Sequence, residues 1–524
     1  MQSDTLFTPV ARARDCCLRL WLCAEPLRDR VRARFAVDTR SLAAVRIALG
    51  LILIADLAHR SRSIERFYTD GGAYPLAAYE ATYTQYTGLS VHALSGDLWF
   101  QQLLFVVAAL FAVAFVLGYR TRLVGAISLL LLFSLHARNP AVLNGGDRLF
   151  RVLLFVALVT PLGERWSIDA LRRGSARNTV TTLGTTALLA QPLVVFTANA
   201  VEKHAGDTWY TGEALAIALA NDVTTVYLGN VLVEYPSLLT ALTYGWVTLL
   251  AGSVAFLLLP VGRTRAVTTL VYVVTFLGMA TAMAVGLFPF LLAASVLPFL
   301  PSVFWNTLAR YVPARGGDRL PDAVDLGPLG RPPLERRVTE RYRDWRGDDA
   351  AVYAATYGRS LLTVAGFCVL VWILLFAASD VTGHDLPDEI DHVHADQQSW
   401  GLYAPDPSTS YSWYVPRVDL ANGSSIDART GGEVDVDRPP DAAAEYDSFR
   451  HRKFMSAVQS SDGGTLAQAF ADWTCRQASQ HHDVDPDHVR VYRLVQASPV
   501  DGEYEEDPSR RMAVRTDCPD APAG

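Results

Sequence analysis

The feature that most constrains this chain is a series of apolar stretches that carry almost no charge. They lie at about 41–58, 98–117, 122–137, 148–162, 181–202, 237–259, 266–285, 287–304 and 360–378. A bilayer core takes about 20 apolar residues of helix, and a helix satisfies its own backbone groups where no water can. The pattern predicts an all-α polytopic membrane domain of about nine transmembrane helices, embedded in the lipid bilayer of the cell membrane.

The loops assign sides to these helices. Arginines gather in the N-terminal segment, at Arg120 and Arg122, in "GERWSIDALRRGSARN", at Arg263 and Arg265, and through 305–359. With nine spans all of these fall on one side. The alternate loops (59–97, 138–147 and 203–236) are aromatic, polar or acidic. Because basic loops stay in the cytoplasm, the N-terminus is expected inside and the C-terminal region outside. The expected organisation is therefore a basic cytoplasmic segment at 1–40, a transmembrane bundle at 41–304, an Arg/Pro/Gly-rich cytoplasmic loop at 305–359, a last span at 360–378, and an extracytoplasmic α+β domain at 380–524. Within 1–40 the amphipathic "CCLRLWLCAEPL" suits the membrane surface. No small-residue cleavage site follows the first apolar run, so a removed signal peptide is not expected.

Charge separates the same regions. From Asp380 onward there are 27 Asp/Glu against 12 Lys/Arg, while the whole chain has a net charge of -7. An acidic outer domain excludes nucleic acid as a partner, since that needs a basic face, and leaves a protein or peptide as the partner it could take. Asp outnumbers Glu there and Arg replaces Lys almost everywhere, a usage matching either a high-salt setting or a GC-rich genome. In this domain "AQAFADWTCRQAS" reads as an amphipathic helix and "HVRVYRLVQ" as a strand. Cys475 and Cys518 are the two cysteines on the outer side, where disulfides persist; they are either bridged or free thiols. No Cys/His spacing indicates a metal site. Asn422-Gly423-Ser424 forms a glycosylation sequon.

Two segments can carry chemistry. The chain has only two lysines, Lys203 and Lys453, and Lys203 ends the fifth apolar stretch within "NAVEKHAGDTWYTGEAL". It is either a snorkelling anchor or a residue kept because a desolvated ammonium can lose its proton while a guanidinium cannot. His204, Asp207 and Trp209 follow it. On the same side lies "ARNPAVLNGGDRLFRVLLF". Here Asp147 is either the cap of the next helix or, with Asn144, Arg148 and Arg151, part of the lining of an outward cavity.

Taken in order, "GDRLFRVLLFVALVTPLGERWSIDA", "VEKHAGDTWYTGEAL", "GLFPFLLAASVLPFLPSVFW" and "DQQSWGLYAPDP" resemble the HTTM proteins, the membrane proteins related to vitamin K-dependent γ-glutamyl carboxylase. The resemblance runs from about residue 35 to beyond 440. It implies a quinol cofactor of the vitamin K or menaquinone type and a base at Lys203, which precedes Trp209 by six residues and Gly212 by nine. In the carboxylase such a lysine acts on the hydroquinone, and oxygenation drives proton removal from glutamate before carbon dioxide is taken up. The carboxylase gap to the Trp is one residue shorter. Its catalytic His, which follows an Asn in the segment matching "VLNGGD", has no counterpart here, where Gly145-Gly146-Asp147 stand; His136 and His204 are near in sequence but do not match. The resemblance thus implies carboxylase-like chemistry around Lys203. The alternative is a non-enzymatic transporter, or a scaffold whose outer domain holds a partner.

Overall fold

The computed structural model describes residues 32–311 (without 222), 401–439 and 448–518 (without 462, 483 and 499–506), plus Tyr446 and scattered positions in 357–379. Residues 1–31 with Cys16, Cys17 and Cys23, the stretch "LERRVTERYRDW", and 380–400 lie outside the described residues.

The bundle comprises α1 (Thr39–Ser61), α2 (Leu98–Leu117), α3 (Thr121–Arg138), α4 (Gly145–Leu158), α5 (Leu183–His204), α6 (Pro236–Ala251), α7 (Arg263–Ala282), α8 (Phe288–Val296) and α9 (Ser302–Tyr311). Five of them, α1, α2, α3, α5 and α7, are long and apolar enough to cross a membrane; there are up to six if the bent pair Phe288–Phe299 and Ser302–Tyr311 is one span. The other expected spans differ for physical reasons. The helix of the fourth apolar stretch has only 14 residues. The sixth stretch breaks at Gly252 and resumes as Ser253–Leu257. The eighth turns through 104°, at a point carrying Pro298 and Pro301, which have no backbone N–H to give to a helix. The ninth is described in part, with Thr363–Trp372 helical.

α2 shows how sequence and solvent agree. Leu103, Val106, Leu110, Val113 and Leu117 are exposed at helical spacing, while Phe105, Ala108, Ala112 and Phe115 are buried. An apolar exposed face opposite an apolar buried one is the signature of a helix between lipid and protein. The buried face meets α1 closely at Gly50, where a Cβ would collide with Val116. Before the eighth stretch, α7 ends at Ala282, Gly286 takes a left-handed conformation (φ 69°) and Pro289 sits in the first turn of α8.

β1 (Val37–Asp38) and β2 (Thr179–Val180) form a short antiparallel ladder that ties the start of α1 to the loop before α5. The C-terminal domain adds β3 (Ser410–Leu420), β4 (Ser425–Asp427), α10 (Phe449–Ser460), α11 (Thr465–His482), β5 (Pro486–Ala497) and β6 (Ser509–Asp517). Its sheet is antiparallel in the order β4-β3-β5-β6. Side chains alternate across it. Val418, Val489 and Val491 join Phe454, Val458, Leu466 and Phe470 of the helices, whereas Trp413, Val415 and Leu494 form a cluster on the opposite face. The first cluster continues without a break into Phe67, Tyr68, Tyr74 and Tyr79 from the loop between α1 and α2. The C-terminal domain therefore shares a core with one end of the bundle. A disulfide joins Cys475 of α11 to Cys518 beyond β6, with Cα atoms 5.7 Å apart.

Candidate functional site

Where the bundle meets the C-terminal domain, four buried ionisable side chains and one partly buried arginine converge. Asp56 and Arg60 are one turn apart on α1, and Arg60 Nε donates to Asp56 Oδ2 at 2.8 Å. Arg60 also donates to Asp147 Oδ1 at 2.8 Å and to the Tyr68 hydroxyl at 2.7 Å. Asp147 stands in the first turn of α4. Asn144 and Asp147 cap each other, each side chain accepting from the other's backbone N–H. Asp147 is thus both a helix cap and a charged member of this knot. From the C-terminal domain, Arg450 of α10 reaches Asp56 at 2.5 Å, Asp147 Oδ1 and Oδ2 at 3.0 and 3.1 Å, and the Val142 carbonyl at 3.1 Å. Although burial and Arg60 oppose its charge, Asp147 and Asp56 hold the Arg450 guanidinium's pKa above its ordinary value. His136, near the end of α3, is fully buried with Nε2 3.4 Å from Asp147 Oδ1, and neither ring nitrogen makes a hydrogen bond among the described residues.

Asp56, His136 and Asp147 place one potential metal-ligand atom each within 4.8 Å of one another. Both carboxylates already accept from Arg60 and Arg450, so a cation there would have to displace two guanidinium groups. The donor set suits a self-neutralised knot better than a metal.

The knot borders a cavity of about 910 Å³. Its lining combines polar groups, among them Asp56, Asn144, Asp147 and Arg450, with apolar ones, among them Phe150, Met283, Leu287, Phe288 and Leu291. Its mouth includes Arg66 and Trp473, stacked with the guanidinium carbon 5.4 Å from the ring centre. Of the residues expected from sequence to line a cavity, Asn144 and Asp147 do so. Arg148 and Arg151 are partly buried on the same helix but do not line this cavity.

Lys203 is elsewhere. Its buried amine donates to the carbonyls of Leu402 and Tyr403 at 2.6 and 3.2 Å and lies 3.8 Å from the centre of the Trp209 ring. It does not line the large cavity. Trp209 Nε1 donates to the same Tyr403 carbonyl at 3.1 Å. The Asp406 carboxylate accepts from the Thr208 hydroxyl and from the backbone N–H groups of Thr208 and Asp207 at 3.0 and 3.3 Å. Residues 401–406 thus form a strap across the end of α5. Gly206 and Gly401 allow that approach, since a Cβ on either would collide with Pro405 or Glu202. His204 is exposed and pairs with the Tyr210 hydroxyl at 2.8 Å, and the Asp207 side chain faces solvent.

Sequence reasoning missed Asp56, Arg60 and Arg450. The first two left a signal, an acid inside an apolar stretch with a base four residues on, just past its end, where charge is costly unless paired. Arg450 left none.

Apolar-faced helices, a knot of buried charge and an amphipathic cavity beneath a docked domain define a polytopic membrane protein. The family model of the HTTM domain matches residues 35–305, and the chain belongs to that family. No curated protein and no solved structure matches it.

Proposed function

We propose that this membrane protein binds an amphipathic, quinol-type molecule in the large cavity, its polar ring at the Asp147–Arg450 wall and its hydrocarbon along Phe288, Leu287 and Leu291. The observation that carries this reading is a lining that offers both charged groups and a set of large apolar side chains. Ligand sites are mostly apolar with a few placed polar groups that fix orientation, and a soluble polar metabolite would leave the phenylalanine wall in contact with water. The volume suits a drug-sized ring system and part of a tail.

Carboxylase-like chemistry is the finer form of this proposal. It assigns Lys203 as the base, and it requires the reacting ring to move from the polar side of the cavity to the end of α5, because Lys203 does not line the cavity and the strap covers its amine. The same proposal completes the bundle to nine spans, with the N-terminus inside and the C-terminal domain outside. The alternation of arginine-rich and arginine-poor loops supports that topology. A cysteine placed at 203–236 is then labelled by an impermeant thiol reagent in intact cells, and one at 320–340 is not.

The test of the ligand is extraction of the purified protein with organic solvent and identification of what copurifies. A quinone in near-stoichiometric amount, lost in Phe288→Asp, supports the proposal. Absence of any quinone, or a copurifying peptide in its place, sinks it in favour of the scaffold reading. Lys203→Arg then separates binding from chemistry. It should retain the quinone but lose any quinol-dependent turnover, since a guanidinium stays protonated.

A further inference from the structure

A second cleft, of about 530 Å³, lies at the opposite kind of location, where α2 ends, α3 begins and the chain leaves α4. Its lining includes Arg120, Arg122, Arg173 and Arg177, with Glu164 and Asp169 as its acids. Both acids are already engaged. Glu164 accepts from Arg177 Nε and Nη2 at 3.0 and 3.1 Å and from the Arg177 backbone at 2.9 Å, with Arg173 at 3.6 Å. Asp169 accepts from the backbone N–H groups of Arg120 and Thr121 and from the Thr121 hydroxyl, at 2.7 to 2.9 Å. Positive charge remains in excess. Arg122 makes no hydrogen bond or ion pair among the described residues.

Position supplies the second half of the argument. The cleft sits at the ends of two membrane-length helices joined by the turn at Gly118. Leu123 lines it and is 53% exposed, and Leu117 and Leu130 are also exposed. Basic groups over a lipid-facing apolar strip are matched by a molecule with an anionic head and acyl chains. Several guanidinium groups around one cleft suit the oxygens of a phosphate, and basic pockets between membrane helices take such head groups.

We propose that this cleft binds the phosphate of an anionic phospholipid, with Arg122 meeting the phosphate and Leu123 beside the acyl chains. The inference is independent of what occupies the large cavity.

The test is native mass spectrometry of the full chain in detergent, titrated with phosphatidylglycerol and with phosphatidylcholine of the same acyl chains. Phosphatidylglycerol should bind more tightly, and Arg122→Gln should weaken it about fivefold, the effect of one basic residue at a membrane surface. Arg122→Lys should recover part of the loss, and Arg515→Gln on the C-terminal domain should cause none. Equal binding of the two lipids overturns the proposal, as does an Arg122→Gln variant with undiminished preference. Displacement of phosphatidylglycerol by an equal concentration of inorganic phosphate also overturns it, because the cleft would then recognise a free anion and not a lipid.

Discussion

Among the contacts that fasten the C-terminal domain to the helix bundle, those at Arg450 and Lys203 use opposite chemistry. At Arg450 a charge meets charges: two guanidinium groups and two carboxylates interlock, each side chain satisfying another. At Lys203 a charge meets dipoles, two backbone carbonyls and an indole face. The first arrangement is rigid because no member can leave without stranding a counter-charge. The second is held by neutral partners, so parting it strands no carboxylate, only the amine itself. This difference places a wall of paired charges beside the large cavity and a strap held by dipoles over the lysine.

The largest effect should come from breaking the knot. Arg450→Met leaves Asp56 and Asp147 against Arg60 alone, and removing one partner of a buried pair costs about 3–5 kcal/mol. Thermal unfolding in detergent should show it. The double variant Asp147→Asn/Arg450→Met restores the charge balance and should cost less than Arg450→Met alone. If the double is the worse of the two, charge pairing is not what holds this wall.

Lys203→Met should do less. It forfeits two hydrogen bonds from a charged donor, about 1.5–3 kcal/mol each, but it also removes the cost of burying an ammonium and strands no carboxylate of the knot. Limited proteolysis should detect faster cleavage within 401–406 while the bundle melts near its original temperature. A loss as large as that of Arg450→Met would erase the distinction drawn between the two fastenings.

The smallest effect concerns acid. Hydrogen bonds from Thr208, side chain first, hold the Asp406 carboxyl below its ordinary value of 3.8. A depressed carboxylate contributes stability above its unfolded value and loses it as pH falls through the folded one. Pepsin cleavage at Leu402–Tyr403 should therefore rise only below pH 3.8, and Asp406→Asn should flatten that dependence. Unchanged cleavage across this range would remove Asp406 from the strap's fastening.

What the sequence revealed follows the range of each interaction. Uncharged apolar stretches located the long helices, because burial in lipid is a property of a continuous segment. They did not reveal the break at Gly252 or the 104° bend before α9, since mean hydropathy is indifferent to where a helix turns. Asp147's part in capping α4 was legible because the cap is local, though its reciprocal partner Asn144, three residues away, reads in the sequence only as the turn leading in or as cavity lining. Lys203 stood out by its rarity, but its partners are carbonyls that any residue type would supply. Arg450 and His136 meet Asp147 only through tertiary packing, and spacing carries no trace of that.

The knot also sets an order of events during synthesis. Asp147 is made 303 residues before Arg450, an interval of roughly 15–60 s at translation rates of about 5–20 residues per second. Through that time the bundle holds two acids with Arg60 as the resident counter-charge from the knot. The membrane domain can assemble early, but this wall closes only when nearly the whole chain has left the ribosome. A chain truncated before α10 is therefore a bundle whose two knot acids have lost one of their two guanidinium partners.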